Sequence, residues 1–142
     1  MQKTSQEVLD CLNKIFQEEM SGVFRYLHYS FMIMGHNRIP IQKWFRDQAQ
    51  ESINHAIIIG EKITSYGGHP NHQASPIPDT QSHAIDKILE ESMEFETQAL
   101  SLYKELVQLA GDDIALEELA RQMVREETEH LEEVQKMMRH SK

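Results

Sequence analysis

Glutamate and histidine recur in this chain where an apolar residue is due. In REETEH, residues 125–130, Glu127 and His130 stand three apart, in line with Met123 and Val134 rather than opposite them. In ESINH, residues 51–55, Glu51 and His55 fall between Trp44/Gln48 and Ile58/Ile59. Glu19 interrupts the apolar series between Phe16 and Val23, and Glu96 interrupts another between Leu89 and Leu100. Four carboxylates aimed at one core would take up protons unless something balanced their charge. Two divalent cations do so, and two neutral imidazoles complete a mixed donor set that suits iron or manganese, with zinc able to compete. The chemistry indicated is a pair of metal ions bridged by carboxylates in a helical core.

The arrangement occurs twice. EMSGVFRY at 19–26 and ETQALSLY at 96–103 both read Glu-x6-Tyr, and each is followed by a Glu/His pair. Glu19 precedes His55 by 36 residues and Glu96 precedes His130 by 34. An accidental cluster has little reason to repeat at nearly equal spacing. Glu18, Glu90, Glu91, Glu94, Glu126 and Glu129 fall off the apolar series and read as solvated surface.

The elements that must position these residues are helices. GHNRIP at 35–40 is a turn with Pro40 placed for the first turn of a helix. YGGHPNHQASPIPDT at 66–80 holds two Gly and three Pro, and AGDD at 110–113 supplies a Gly stop and an Asp N-cap. The spacing predicts helices over 5–36, 40–66, 80–110 and 113–139, with no alternating segment to place as a strand. Each has one apolar face, the second running through Trp44, Phe45, Ile58, Ile59 and Ile63. Short turns make antiparallel neighbours of the first and second helices and of the third and fourth. The connection between the pairs is long enough to run the length of the bundle. The expected fold is an all-α four-helix bundle of two antiparallel hairpins joined by a long crossover, a single domain over 1–142.

Composition narrows the function. With 142 residues, 39% hydrophobic and 26% charged, the chain is sized for one soluble core. A net charge of −9 argues against nucleic-acid partners and favours cations. Cys11 is the single cysteine, so no internal disulfide or iron–sulfur module is expected, which suits a cytoplasmic location. The N-terminus shows no secretory pattern, and no apolar run is long enough for a membrane span. Tyr26 and Tyr103, each seven residues after a glutamate of the set, read as core residues or as hydrogen-bond partners of the carboxylates. HPNH in the crossover reads as exposed histidines, and YLHYSFMIMG as core or a subunit interface.

LNKIFQEEMSGVFRYLH, ESINHAIIIGEKI, GGHPNHQ and REETEH together resemble the ferritin-like superfamily, most closely the bacterioferritins, over nearly the whole chain. The resemblance implies that Glu19, Glu96, Glu127 and His130 are di-iron ligands, with Glu127 bridging and His55 the imidazole of the second helix. It implies Fe(II) oxidation by dioxygen or peroxide, in a homo-oligomer that stores or detoxifies iron. This chain departs from the family in three ways. Its second helix reads Glu-x3-His, where the family has Glu-x2-His, so register alone puts Ser52 in the ligand position. A π-bulge would restore Glu51 as the second bridge. Ile53 replaces the haem-binding Met of bacterioferritins, so no haem is expected there. The chain ends at Lys142 without the short fifth helix that lines a cage channel in the family, so the expectation is a homo-oligomer, a dimer or larger, rather than a cage in particular. The alternatives are a non-storing di-iron oxidase or peroxidase resembling rubrerythrin, and a redox-inactive metal-binding bundle.

Overall fold

The computed structural model describes residues 5–78 and 81–139. It contains four helices, α1 (Gln6–Met32), α2 (Arg38–Ser65), α3 (Ile85–Leu109) and α4 (Ile114–Met138), and no strand among the described residues. The chain groups into two compact units, Met1–Ile88 and Leu89–Lys142.

In the first unit α1 and α2 form a hairpin. Ser5 caps α1, its hydroxyl accepting from the Val8 N–H at 3.3 Å. Pro40 is the third residue of α2, inside the first turn where its missing N–H removes no helical bond. The pairing is antiparallel: Gln42 donates to the Ser30 carbonyl at 3.0 Å, and Gly60 lies against the Phe16 ring. A Cβ at Gly60 would stand 3.3 Å from that ring, so the glycine permits the close approach. Tyr26 stacks on Phe45 with centroids 6.0 Å apart, and Tyr29 tilts against the same ring at 5.3 Å. The segment YLHYSFMIMG divides between two faces. Tyr26, Tyr29 and Ile33 are buried, while Leu27, Phe31 and Met34 are exposed.

The crossover runs along this hairpin. Gly68 sits against Leu9 and Ile63. The Asn71 N–H donates to Asn13 Oδ1 at 2.8 Å, and Asn13 Nδ2 donates to the His69 carbonyl at 3.3 Å. Further along, the Ser75 N–H donates to Ser21 Oγ at 2.7 Å, and its hydroxyl donates to Glu18 at 2.6 Å. Glu18 is thus half-buried and anchors the crossover, rather than being the free surface residue expected. At the far end the Met34 N–H donates to the His83 carbonyl at 3.2 Å, and the His83 ring meets the Met32 carbonyl at 2.8 Å.

Those last contacts correct two boundaries. α1 stops at Met32 instead of residue 36, because its final backbone groups pair with the crossover. α3 begins at Ile85 because residues 82–84 are engaged there, and the expected start at residue 80 lies outside the described residues. Ile58 is a third correction, being 41% exposed. The buried face of α2 runs through Phe45, Ala49, Ser52, Ala56, Ile59 and Ile63, and Ile58 stands about 100° from Ile59.

In the second unit α3 and α4 form a hairpin through a tight turn. Gly111 takes φ 56, and Asp113 caps α4 by accepting from the Leu116 N–H at 3.1 Å. Leu106, Leu116, Ala120 and Met123 are buried.

Asn13 holds the crossover by side chain on both hydrogen-bonding atoms, so Asn13→Ala should cost about 1–2 kcal/mol of local stability. Hydrogen exchange at the Asn71 amide should then quicken about five- to thirtyfold, with that of the α3/α4 hairpin unchanged.

Candidate metal centre

Each unit gathers two carboxylates and one imidazole. In the first, α1 supplies Glu19 and α2 supplies Glu51 and His55. Apolar neighbours at Ile15 and Ile59 fix the buried faces, and antiparallel pairing then sets Glu19 beside His55. His55 Nδ1 lies 3.6 Å from Glu19 Oε1, and His55 Nε2 lies 3.6 Å from Glu51 Oε1. The side chains of His55 and Glu19 are each only 6% exposed, whereas that of Glu51 is 33% exposed.

In the second unit Glu96 comes from α3, and Glu127 and His130 lie one turn apart on α4. Their donor atoms all fall within 4.8 Å of one another. His130 Nδ1 is 3.9 Å from Glu127 Oε2. Glu96 and Glu127 are 4% exposed, so neither carboxylate is solvated as a surface residue would be.

These separations fit metal ligands. At 3.6–3.9 Å the nitrogen and oxygen atoms are too far apart for good hydrogen bonds. Two donors sharing one ion, each about 2.0–2.2 Å from it, stand about 3–4 Å apart at the usual angles. The donor types, buried carboxylate and imidazole, suit iron, manganese or zinc.

Helix α2 does not form the expected π-bulge. It runs as α-helix without interruption through residues 51–55. Ser52 keeps the buried register, at 6% exposure, and Glu51 instead approaches the side of the His55 ring opposite Glu19. Ala49 and Ala56, on either side of this stretch, are buried in the same uninterrupted helical register.

Tyr26 and Tyr103 are fully enclosed, with Tyr26 in the aromatic cluster of Phe45 and Tyr29. His36, His69, His72 and His83 are exposed and His28 is half-buried, while His140 lies outside the described residues. Among the described residues none of these histidines joins a group of donors at metal-ligand spacing. Sequence reasoning missed Glu18 as a structural anchor, since its partner is 57 positions away and no local pattern marks it.

The family model for the ferritin-like domain matches residues 9–142. No curated protein matches the chain significantly. Among solved structures, a ferritin-like diiron-carboxylate protein from Bacillus anthracis superposes with a TM-score of 0.90 at 22% identity, covering 98% of this chain and 100% of its own. The bacterioferritin of Rhodobacter capsulatus gives 0.84 at 21%, covering 96% and 86%. A dodecameric thioferritin from Bacteroides fragilis, described as bacterioferritin-related, gives 0.85 at 23%, covering 94% and 86%. The fold shared with these structures is the ferritin-like four-helix bundle.

If Glu96, Glu127 and His130 act as one donor group, His130→Ala should weaken zinc(II) binding at least about tenfold. Glu129→Gln, which removes only an exposed partner of Arg125, should leave it unchanged. Calorimetric titration of the metal-free chain compares the two.

Proposed function

The chain belongs to the ferritin-like domain family, and from that premise we propose that it is a di-iron ferroxidase of bacterioferritin type. It takes up Fe(II) and oxidises it with dioxygen or peroxide, for iron storage or detoxification. The observation that supports this best is that each hairpin brings carboxylate beside imidazole: Glu19 and Glu51 on either side of the His55 ring on one, Glu96 and Glu127 with His130 on the other. The reading assigns these six residues as the ligands of two iron ions, with Glu127 as a bridging carboxylate.

Glu19, Glu96 and Glu127 are the buried anions that draw Fe(II) out of water, and their charge favours the ferric product still more strongly. His55 and His130 bind through neutral imidazole nitrogen, one to each ion. The ions, bound as substrate, each give up one electron, and the oxidant takes up both. Tyr26 and Tyr103, both buried, contribute to the packing of the two hairpins. Ile53 has no metal-ligating atom, so no haem is assigned at that position. The partners of this reading are Fe(II), the oxidant and further copies of the chain in a homo-oligomer. No helix of the described residues is long and apolar enough to cross a membrane.

Aerobic loading with excess Fe(II), followed by a sizing column, tests the proposal. Many tens of irons per chain on a large species is the expected result. About two per chain on a small species would assign a non-storing oxidase or peroxidase instead. No retained iron would exclude both. Glu127→Ala should slow Fe(II) oxidation by more than about a hundredfold, because a shared ligand is lost from both ions.

A further inference from the structure

We infer that the outer face of the α1/α2 hairpin is a self-complementary interface, on which a second copy of this chain packs antiparallel, α1 against α1. This rests on the homo-oligomer of the proposed function and not on its metal centre. The buried face of α1 runs through Leu12, Ile15, Tyr26 and Tyr29. The helix carries a second apolar series, Met20, Phe24, Leu27 and Phe31, of which Met20 is half-buried and the other three are exposed. Its spacing of four, three and four is that of a seam between packed helices. One apolar face serves the helix's own hairpin, so a second face is surplus to the fold of the chain. Among the described residues eight large hydrophobic side chains are exposed, and seven lie in this unit, so the exposed apolar surface is gathered here rather than scattered.

Helix α2 widens the face. Ile39 and Ile57 stand seven residues before and eleven residues after Arg46, close to whole turns, so the three share one side of α2. That side borders the seam, because the Arg46 guanidinium lies over the Phe31 ring at 5.4 Å and its Nε donates to Ser30 Oγ at 3.2 Å. Arg46 thus holds the Phe31 ring in place before a partner arrives, which lowers the ordering cost of association. Phe24 is 62% exposed and Phe31 58%, leaving roughly 100 Å² of each in water. With Leu27, Met34, Ile39 and Ile57 the face offers roughly 600 Å². A standard interface takes roughly 800 Å² from each partner, a little over half of it apolar, and this face supplies that share. The order of spacing identifies the occupant. Four, three, four reads the same in both directions, so a copy turned about an axis midway between Phe24 and Leu27 presents the same series antiparallel. Phe24 then meets Leu27 across the axis and Met20 meets Phe31, the reciprocal pairing of a two-fold interface. A lipid surface or an unrelated partner requires no such symmetry.

Light scattering on the full chain, with and without substitution, tests the inference. The wild type should have the mass of two copies or of an even-numbered assembly. Phe24→Asp combined with Leu27→Asp should weaken pairing more than about a hundredfold, with the helical circular dichroism kept because both side chains are exposed. Co-expressed Phe24→Cys and Leu27→Cys chains should form a mixed disulfide, whereas Phe24→Cys alone should not link to itself, because the axis sets its two sulfurs too far apart. The native Cys11 is buried. A monomeric wild type, an unchanged mass in the double variant, or absence of the mixed disulfide overturns the inference. A monomer that floats with phosphatidylcholine vesicles assigns the face to lipid instead. A paired chain that takes up no iron refutes the metal centre and leaves the interface standing.

Discussion

Buried carboxylate charge is the constraint from which the rest of this structure follows. Glu19, Glu96 and Glu127 are each 5% exposed or less, on three different helices. Removing an ionised carboxylate from water without a partner costs several kcal/mol, against a total stability of about 5–15 kcal/mol for a domain of this kind. Three such residues would therefore oppose folding unless cations sit beside them. The imidazoles of His55 and His130 stand at the separations that a shared ion requires. On the proposed reading metal binding and folding are coupled, because groups that would hold the ion oppose folding without it.

The helical framework answers that constraint with small and rigid parts. Gly60 lets α2 approach the Phe16 ring, and the aromatic cluster of Tyr26, Tyr29 and Phe45 fills the hairpin on the far side of Glu19 in sequence. The crossover then ties down the segment of α1 on either side of Glu19, through Asn13, Glu18 and Ser21. A ligand on a helix held from both sides is more exactly placed than one on a loop, and a metal site depends on such placement. The connection that looked like a spacer is part of the support for the site.

The spacing at Glu51 is accommodated without any break in α2. The packed positions Ala49, Ser52 and Ala56 follow one continuous helical register. Glu51 stands at the edge of that buried face, beside the nitrogen of the His55 ring that faces away from Glu19.

Much of this was legible in the chain itself. Helix number, hairpin pairing and the turns at Gly111 and Asp113 follow from periodicity and capping, which are local properties. The candidates for buried donors were legible as well, because a carboxylate or imidazole in an apolar series is conspicuous and the series repeats. The ends of α1 and α3, the anchoring by Glu18 and the exposure of Ile58 did not. The helix ends and the anchoring by Glu18 depend on pairings between residues about fifty positions apart, such as Met32 with His83 and Glu18 with Ser75, and the exposure of Ile58 depends on which way α2 faces in the packed hairpin. The sequence by itself determined which residue types enter the core and in what order, because the 3.6-residue period is a property of each helix alone. Only the tertiary structure decided which nitrogen of His55 faces which carboxylate, because that depends on how α2 turns against its neighbour α1, an outcome of packing that no single helix encodes.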